Sequence, residues 1–155
     1  MPREARRGSL GVQVAALKLL ARRDFAVAEL HKRLLEQGYD EDAVRAAVDE
    51  LLSGGALNDE RYAQNYVTYH AARGQGPYRI AAQLGRCGVS AEVIAAALDG
   101  GPDWHALARK VCRGKFGPSP PADWSQKARQ ARFLQYRGFS SDHIRAATGA
   151  DPDLD

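Results

Sequence analysis

Four histidines, two cysteines and scattered carboxylates are the side chains of this 155-residue chain that could bind a metal or perform acid–base or nucleophilic chemistry. Their spacing argues against each. His31, His70, His105 and His143 fall on four different predicted helices. None is four residues from another or near a cysteine, so the spacing that lets one helix face hold a metal is missing. Cys87 precedes a glycine at a predicted helix end and Cys112 sits on an apolar stripe, so both read as packing residues. Two thiols cannot build a disulfide framework or a CxxC metal cluster, and free thiols suit a reducing cytosol. The carboxylate pairs Asp49-Glu50 and Asp59-Glu60 read as wet helix faces rather than an acid–base couple. Gly74-Gln75-Gly76-Pro77 has the glycines of a phosphate loop, yet no Gly-Lys-Ser/Thr ending follows and no strand leads into it. It reads as a flexible helix connection. The expectation is a chain that is not an enzyme and uses no cofactor or metal.

Charge is the chemistry that remains. Arg73 and Arg79 stand on either side of that glycine turn, where guanidinium forks could pair with phosphate or carboxylate. The net charge of +3 is unevenly spread: residues 1–23 carry six basic groups against one acid, residues 24–60 three against ten, and residues 104–147 nine against two. An acidic section flanked by basic ones suits a molecule that meets a polyanion with some faces and a protein with others. No apolar run reaches the length of a membrane span, and Met1–Leu20 is interrupted by Arg, Glu and Gln where a signal peptide needs an apolar core. A soluble, cytoplasmic protein is expected.

The elements that must position these charges repeat with a period of 50 residues. Leu34-Leu35-Glu36-Gln37-Gly38-Tyr39-Asp40 aligns with Leu84-Gly85-Arg86-Cys87-Gly88-Val89-Ser90 and with Leu134-Gln135-Tyr136-Arg137-Gly138-Phe139-Ser140. The stretches 44–48, 94–98 and 144–148 match as well. Each block is a helix stop followed by a helix start. The glycine takes a left-handed conformation in a Schellman-type cap, and Asp40, Ser90 or Ser140 accepts from the first amides of the next helix. Acids at Asp42, Glu92 and Asp142 favour its positive end. Ahead of each block a further helix is predicted by apolar residues at helical spacing: Val12, Ala16, Leu19 and Leu20; Tyr62, Ala63, Tyr66 and Val67; Trp104, Leu107, Ala108 and Val111. Leu57-Asn58-Asp59-Glu60 reads as a helix start capped by Asn58 or Asp59. Breakers separate first from second helices at Asp24-Phe25, at Gly74–Pro77 and at Gly117–Pro121, the last connection being about seven residues longer. No alternating run predicts a strand. The fold expected is all-α, with three tandem three-helix repeats over residues 10–54, 55–100 and 101–149 forming an elongated, curved molecule. The links Ser53-Gly54-Gly55 and Gly100-Gly101-Pro102 set the angle between units without fusing them.

The string Leu57-Asn58-Asp59-Glu60-Arg61-Tyr62-Ala63, then Tyr66-Val67, then Arg73–Ile80 with Leu84 and Gly88-Val89, resembles the central signature of the RecX regulatory proteins. The likeness spans about residues 10–149. It departs from the family after Tyr66-Val67, where Tyr69 and His70 occupy a region that often holds a basic residue. The resemblance implies a non-enzymatic negative regulator of the RecA recombinase that docks in the groove of the RecA–DNA filament. Such a protein inhibits ATPase, strand-exchange and coprotease activities and also touches DNA, single- or double-stranded, without sequence preference. Asp59, Arg61, Arg73, Arg79 and Arg86 are the candidate filament contacts. Arg22, Arg23, Arg109, Lys110, Arg113, Lys115, Lys127, Arg129 and Arg132 are the candidate DNA contacts, with Arg3, Arg6, Arg7, Lys18 and Arg137 in the same basic stretches. The acids between Asp40 and Glu50 would face basic protein surface. The expected partners are the RecA nucleoprotein filament and DNA, with no membrane, and the chain is expected to be a monomer. The rival reading is a stand-alone DNA-binding module of helix-turn-helix type.

Overall fold

The computed structural model describes residues 9–150, and those residues form nine helices and no strand. They are α1 (Ser9–Arg22), α2 (Val27–Glu36), α3 (Glu41–Ser53), α4 (Asp59–Ala72), α5 (Pro77–Arg86), α6 (Ala91–Asp99), α7 (Trp104–Phe116), α8 (Trp124–Arg137) and α9 (Ser141–Thr148). Arg3, Arg6 and Arg7 lie outside the described residues.

The repeated block folds the same way three times. Gly38, Gly88 and Gly138 have φ of 91°, 85° and 97°, the left-handed region where a Cβ is costly. The amides of Tyr39, Val89 and Phe139 donate to the carbonyls of Leu34, Leu84 and Leu134 at 3.1–3.3 Å, while those of the glycines donate to the residues three back at 3.0 Å. Both bonds of a Schellman cap are therefore present each time. The following helix starts differ. The hydroxyls of Ser90 and Ser140 accept from Val93 and His143 amides, but the Asp40 carboxylate makes no cap bond. Glu41 and Asp42 already bring negative charge to the first turn of α3, so its amide ends are served electrostatically. The seven extra residues of the third repeat are divided between a longer loop, 117–123 against 23–26 and 73–76, and an α8 of 14 residues against ten in α2 and α5.

Each three-helix unit closes a small core of its own. Val12, Ala16, Leu30, Leu34, Val44 and Leu51 fill the first, Ala63, Val67, Ile80 and Leu84 the second, and Ala108, Ala131, Leu134 and Ile144 the third. Three small cores rather than one set the units in a row, and shared residues join neighbours: Ala26 of the first repeat is buried in the second core, and Trp104 and Leu107 pack on both the second and third. The link after α3 is pinned. Leu57 is buried in the first core, and the Arg61 guanidinium donates to the carbonyls of Gly55 and Ala56 at 2.9 and 3.1 Å.

The second helix of one repeat receives the glycine turn of the next. A Cβ on Gly88 would come within 2.5 Å of the Ala28 Cβ at the start of α2, and one on Gly138 within 2.4 Å of the Arg79 Cβ at the start of α5. Gly38, with no repeat before it, meets nothing within 4 Å.

Candidate functional site

The helix N-termini at these two contacts are completed by different atoms. At α2, the Asp59 carboxylate accepts from the Val27 amide at 2.8 Å and Glu29 accepts from the Ala26 amide at 3.3 Å. Asn58 caps α4 through the Arg61 amide, so of the two predicted caps Asn58 serves its own helix and Asp59 serves another repeat's. At α5, backbone replaces carboxylate. The Gly76 amide donates to the Arg137 carbonyl at 2.8 Å and the Tyr78 amide to the Gly138 carbonyl at 2.9 Å, so the positive end of α5 abuts the negative end of α8. A Cβ on Gly76 would lie 2.4 Å from the Gly138 carbonyl carbon. The glycine run read as a flexible connection is thus the seat of the third repeat, held because both chains are bare enough for their backbones to touch.

This second junction opens into a groove of ≈ 380 Å³ lined by Arg73, Lys110, Lys115 and Arg137 around Ala71, Leu107, Val111 and Phe133. The chain has no carboxylate in residues 61–91, 104–122 or 124–141. The ion pairs among the described residues, Arg23–Glu29, Arg45–Glu41 and Arg145–Asp142, all lie elsewhere. The groove cations rest on rings instead: Arg73 sits 3.5 Å above Tyr69, Lys115 and Arg137 5.8 Å from Phe133, and Arg79 5.5 Å from Tyr136. The Arg137 guanidinium also donates to the Arg73 carbonyl at 3.0 Å, while its Nε, the His70 Nδ1 and the Gln75 Oε1 are buried without a partner. His70, stacked 4.1 Å from Tyr66, has its pKa lowered mainly by burial, with the nearby charges of Arg73 and Arg79 acting in the same direction.

The candidate residues therefore separate. Arg73, Lys110 and Lys115 converge on the groove, and Arg79 flanks it. Arg109 and Arg113 lie on another face of α7, around the 117–121 loop. Arg86 and Arg132 are exposed on α5 and α8, Lys127 is half-buried, and Arg129 lies 5.8 Å over Phe116. Arg22 lines a hollow of the first repeat beside Lys18 and Tyr39. Arg23, expected to face DNA, holds Glu29 through both terminal nitrogens at 3.2 Å and lies over Phe25. Asp59 and Arg61 are engaged within the molecule, in the α2 cap and the linker clamp. Tyr69, Phe133 and Tyr136, none of them among the residues expected to make contacts, supply the rings beneath Arg73, Arg79, Lys115 and Arg137. An aromatic residue four positions before an arginine, as in Tyr69–Arg73 and Phe133–Arg137, is the signal that finds two of them.

Comparison with known proteins agrees with this architecture. Family models described as the first, second and third three-helix domains of RecX match residues 14–51, 58–98 and 103–148. The chain is 43% identical over 148 residues to the regulatory protein RecX of Halorhodospira halophila, covering 95% of this chain and 92% of that one. It is 42% identical over 139 residues to the regulatory protein RecX of Stenotrophomonas maltophilia, covering 89% and 85%. The crystal structure of RecX from Lactobacillus salivarius superposes with a TM-score of 0.79 at 21% identity, over 90% of this chain and 93% of that one. The three domain matches and the identity sustained along the chain place it in the RecX family of regulatory proteins.

Proposed function

We propose that this chain is a negative regulator of RecA, binding in the groove of the RecA–DNA filament and inhibiting its ATPase, strand-exchange and coprotease activities without chemistry of its own. The observation that carries this reading is the groove between the second and third repeats, where Arg73, Lys110, Lys115 and Arg137 converge with no carboxylate paired to them. Uncompensated guanidinium and ammonium groups seated on aromatic rings suit phosphate held within a nucleoprotein filament. Family membership supports a regulatory role and a row of three small-core units supports simultaneous contact with neighbouring protomers, where several weak contacts on one body combine through effective concentration. In this reading Arg79 and Arg86 extend the contact along α5, Lys127, Arg129 and Arg132 extend it along α8, and the acidic first repeat faces protein.

The test is hydrolysis of ATP by RecA on single-stranded DNA, titrated with this protein. Inhibition well below equimolar amounts is expected, and changing Arg73→Ala together with Arg79→Ala weakens it while helical circular dichroism is kept. A free-standing DNA-binding module would instead bind bare DNA with a steep salt dependence and leave hydrolysis untouched except by competition for the strand.

A further inference from the structure

The second basic face of α7 builds a different kind of site. Arg109 and Arg113, one turn apart, form a wall of a bowl of ≈ 280 Å³ whose other sides are Gly117–Pro121 of the loop, Gln130 of α8 and Thr148 at the end of α9. The loop is a stiff wall. Gly117 takes φ of 87°, three prolines follow within four residues, and the far end is tied down by the Ala122 amide donating to Gln126 Oε1 at 2.8 Å and by Asp123 capping α8. A wall already fixed costs little to order when a ligand enters.

Gln130 is more than nine-tenths buried, and its Oε1 accepts from the Cys112 thiol at 3.4 Å. Burial pushes the Cys112 pKa up, so the thiol keeps its proton and adds no negative charge. The Gln130 amide nitrogen has no partner among the described residues. Gln130 lines the bowl, so that donor is open to an acceptor there. Neither Arg109 nor Arg113 is in an ion pair among the described residues. The acid that feels Arg109, Asp103, is fully exposed and spends its carboxylate on the cap of α7.

We propose that this bowl is a phosphate-monoester site in which Arg109 and Arg113 take the charge and the Gln130 amide supplies a neutral donor. All its walls come from one repeat, so it suits a terminal phosphate rather than a diester backbone running through. That phosphate comes either from a strand end or from a free mononucleotide, and the site stands independently of the groove reading.

Calorimetric titration of the full chain with inorganic phosphate, a deoxymononucleotide, and 5′-phosphorylated and 5′-hydroxyl forms of one short oligothymidylate tests it. Inorganic phosphate binds, and Arg109→Ala with Arg113→Ala weakens binding on the order of tenfold or more, whereas Lys32→Ala with Arg33→Ala, exposed on α2 of the first repeat, leaves it unchanged. Gln130→Met, which removes the donor at similar volume, lowers affinity severalfold. A strand-end ligand shows as tighter binding of the phosphorylated oligonucleotide than of its hydroxyl form, a preference lost in the Arg109/Arg113 variant. A free-nucleotide ligand shows as mononucleotide binding with no such preference. Absence of phosphate binding, or equal loss in the Lys32/Arg33 variant, overturns the proposal, the second outcome assigning the affinity to net charge rather than to the bowl. Either result leaves the RecA assay to decide the groove's role.

Discussion

Gly88 and Gly138 hold equivalent places in successive repeats, and each brings its turn against the start of the second helix of the repeat before it. At the first contact the free amides of α2 are met by the carboxylates of Asp59 and Glu29, and Glu29 also neutralises Arg23. At the second, the amides of α5 are met by the carbonyls of Arg137 and Gly138. A carbonyl completes a helix end without bringing a formal charge. The cations around the second junction therefore keep their charge, while those around the first are partly spent inside the molecule. One docking geometry, completed by two kinds of acceptor, yields a charge-balanced joint in one place and an open basic groove in the other.

The largest effect that breaks this symmetry is at the three glycines. All share positive φ, which costs an alanine about 1 kcal/mol, yet they differ in what a Cβ meets. Gly38→Ala, facing open space, loses only that amount. Gly88→Ala also drives into the Ala28 Cβ at 2.5 Å and loses about 2–3 kcal/mol. Gly138→Ala strikes the Arg79 Cβ at 2.4 Å and its backbone nitrogen at 2.7 Å, so it loses about 4 kcal/mol or more and inhibits RecA poorly because the third repeat no longer seats. Urea unfolding of the three variants checks the order, and equal losses would mean that the turns do not dock.

Next in size is the cap that crosses repeats. Asp59→Ala removes the acceptor of the Val27 amide and costs about 1–2 kcal/mol. Its inhibition of RecA per folded molecule stays at the wild-type level, since Asp59 is spent inside the protein. A large loss of inhibition with unchanged stability would return Asp59 to the filament contact expected from the sequence.

The smallest effect is a pH slope. Burial and then His105 lower the pKa of His143, against Asp142 and Asp103, which raise it; burial, Arg73 and Arg79 lower that of His70. Both histidines are held neutral in the folded state more than in the unfolded one. Their contribution is complete above the unfolded pKa of about 6.5 and is lost as pH falls below it, because the unfolded chain takes up protons first. Protonation of His143 also forfeits the bond its Nδ1 accepts from the Ser140 amide at 3.2 Å. Thermal midpoints should fall between pH of about 7.5 and about 5.5, and His143→Gln should flatten part of that slope. A slope of opposite sign contradicts the neutral assignment.

The repeat and its turns were legible because they are local: the glycine, the apolar residue after it and the leucine before it lie within six residues and recur at one period. The junctions were not, because they pair positions with no sequence relation, Asp59 with Val27 and Gly76 with Arg137, and depend on how one unit sits on the next. Gly74–Pro77 looked loose for the reason that makes it tight, since the lack of side chains admits a second backbone. The basic residues of α7 were grouped by proximity in sequence. By helical phase Arg109 and Arg113 lie about 40° apart and share one side of α7, while Lys110 and Lys115, about 140° apart, flank its opposite side, where Leu107, Val111 and Gly114 line the groove. His105 and His143, on separate helices, meet with ring centroids 4.6 Å apart, a contact that only the packing of α7 on α9 supplies.

The central claim is that unspent charge at the second junction is what acts on the filament. ATP hydrolysis by RecA on single-stranded DNA, titrated with the wild type, with Lys110→Ala/Lys115→Ala and with Lys18→Ala/Arg22→Ala, tests it most directly. The account predicts that the first pair raises the concentration needed for half inhibition on the order of tenfold, as expected for losing two phosphate contacts, and that the second pair, on the first repeat, changes it little. Equal inhibition by all three proteins, or a loss confined to the Lys18/Arg22 variant, would contradict it.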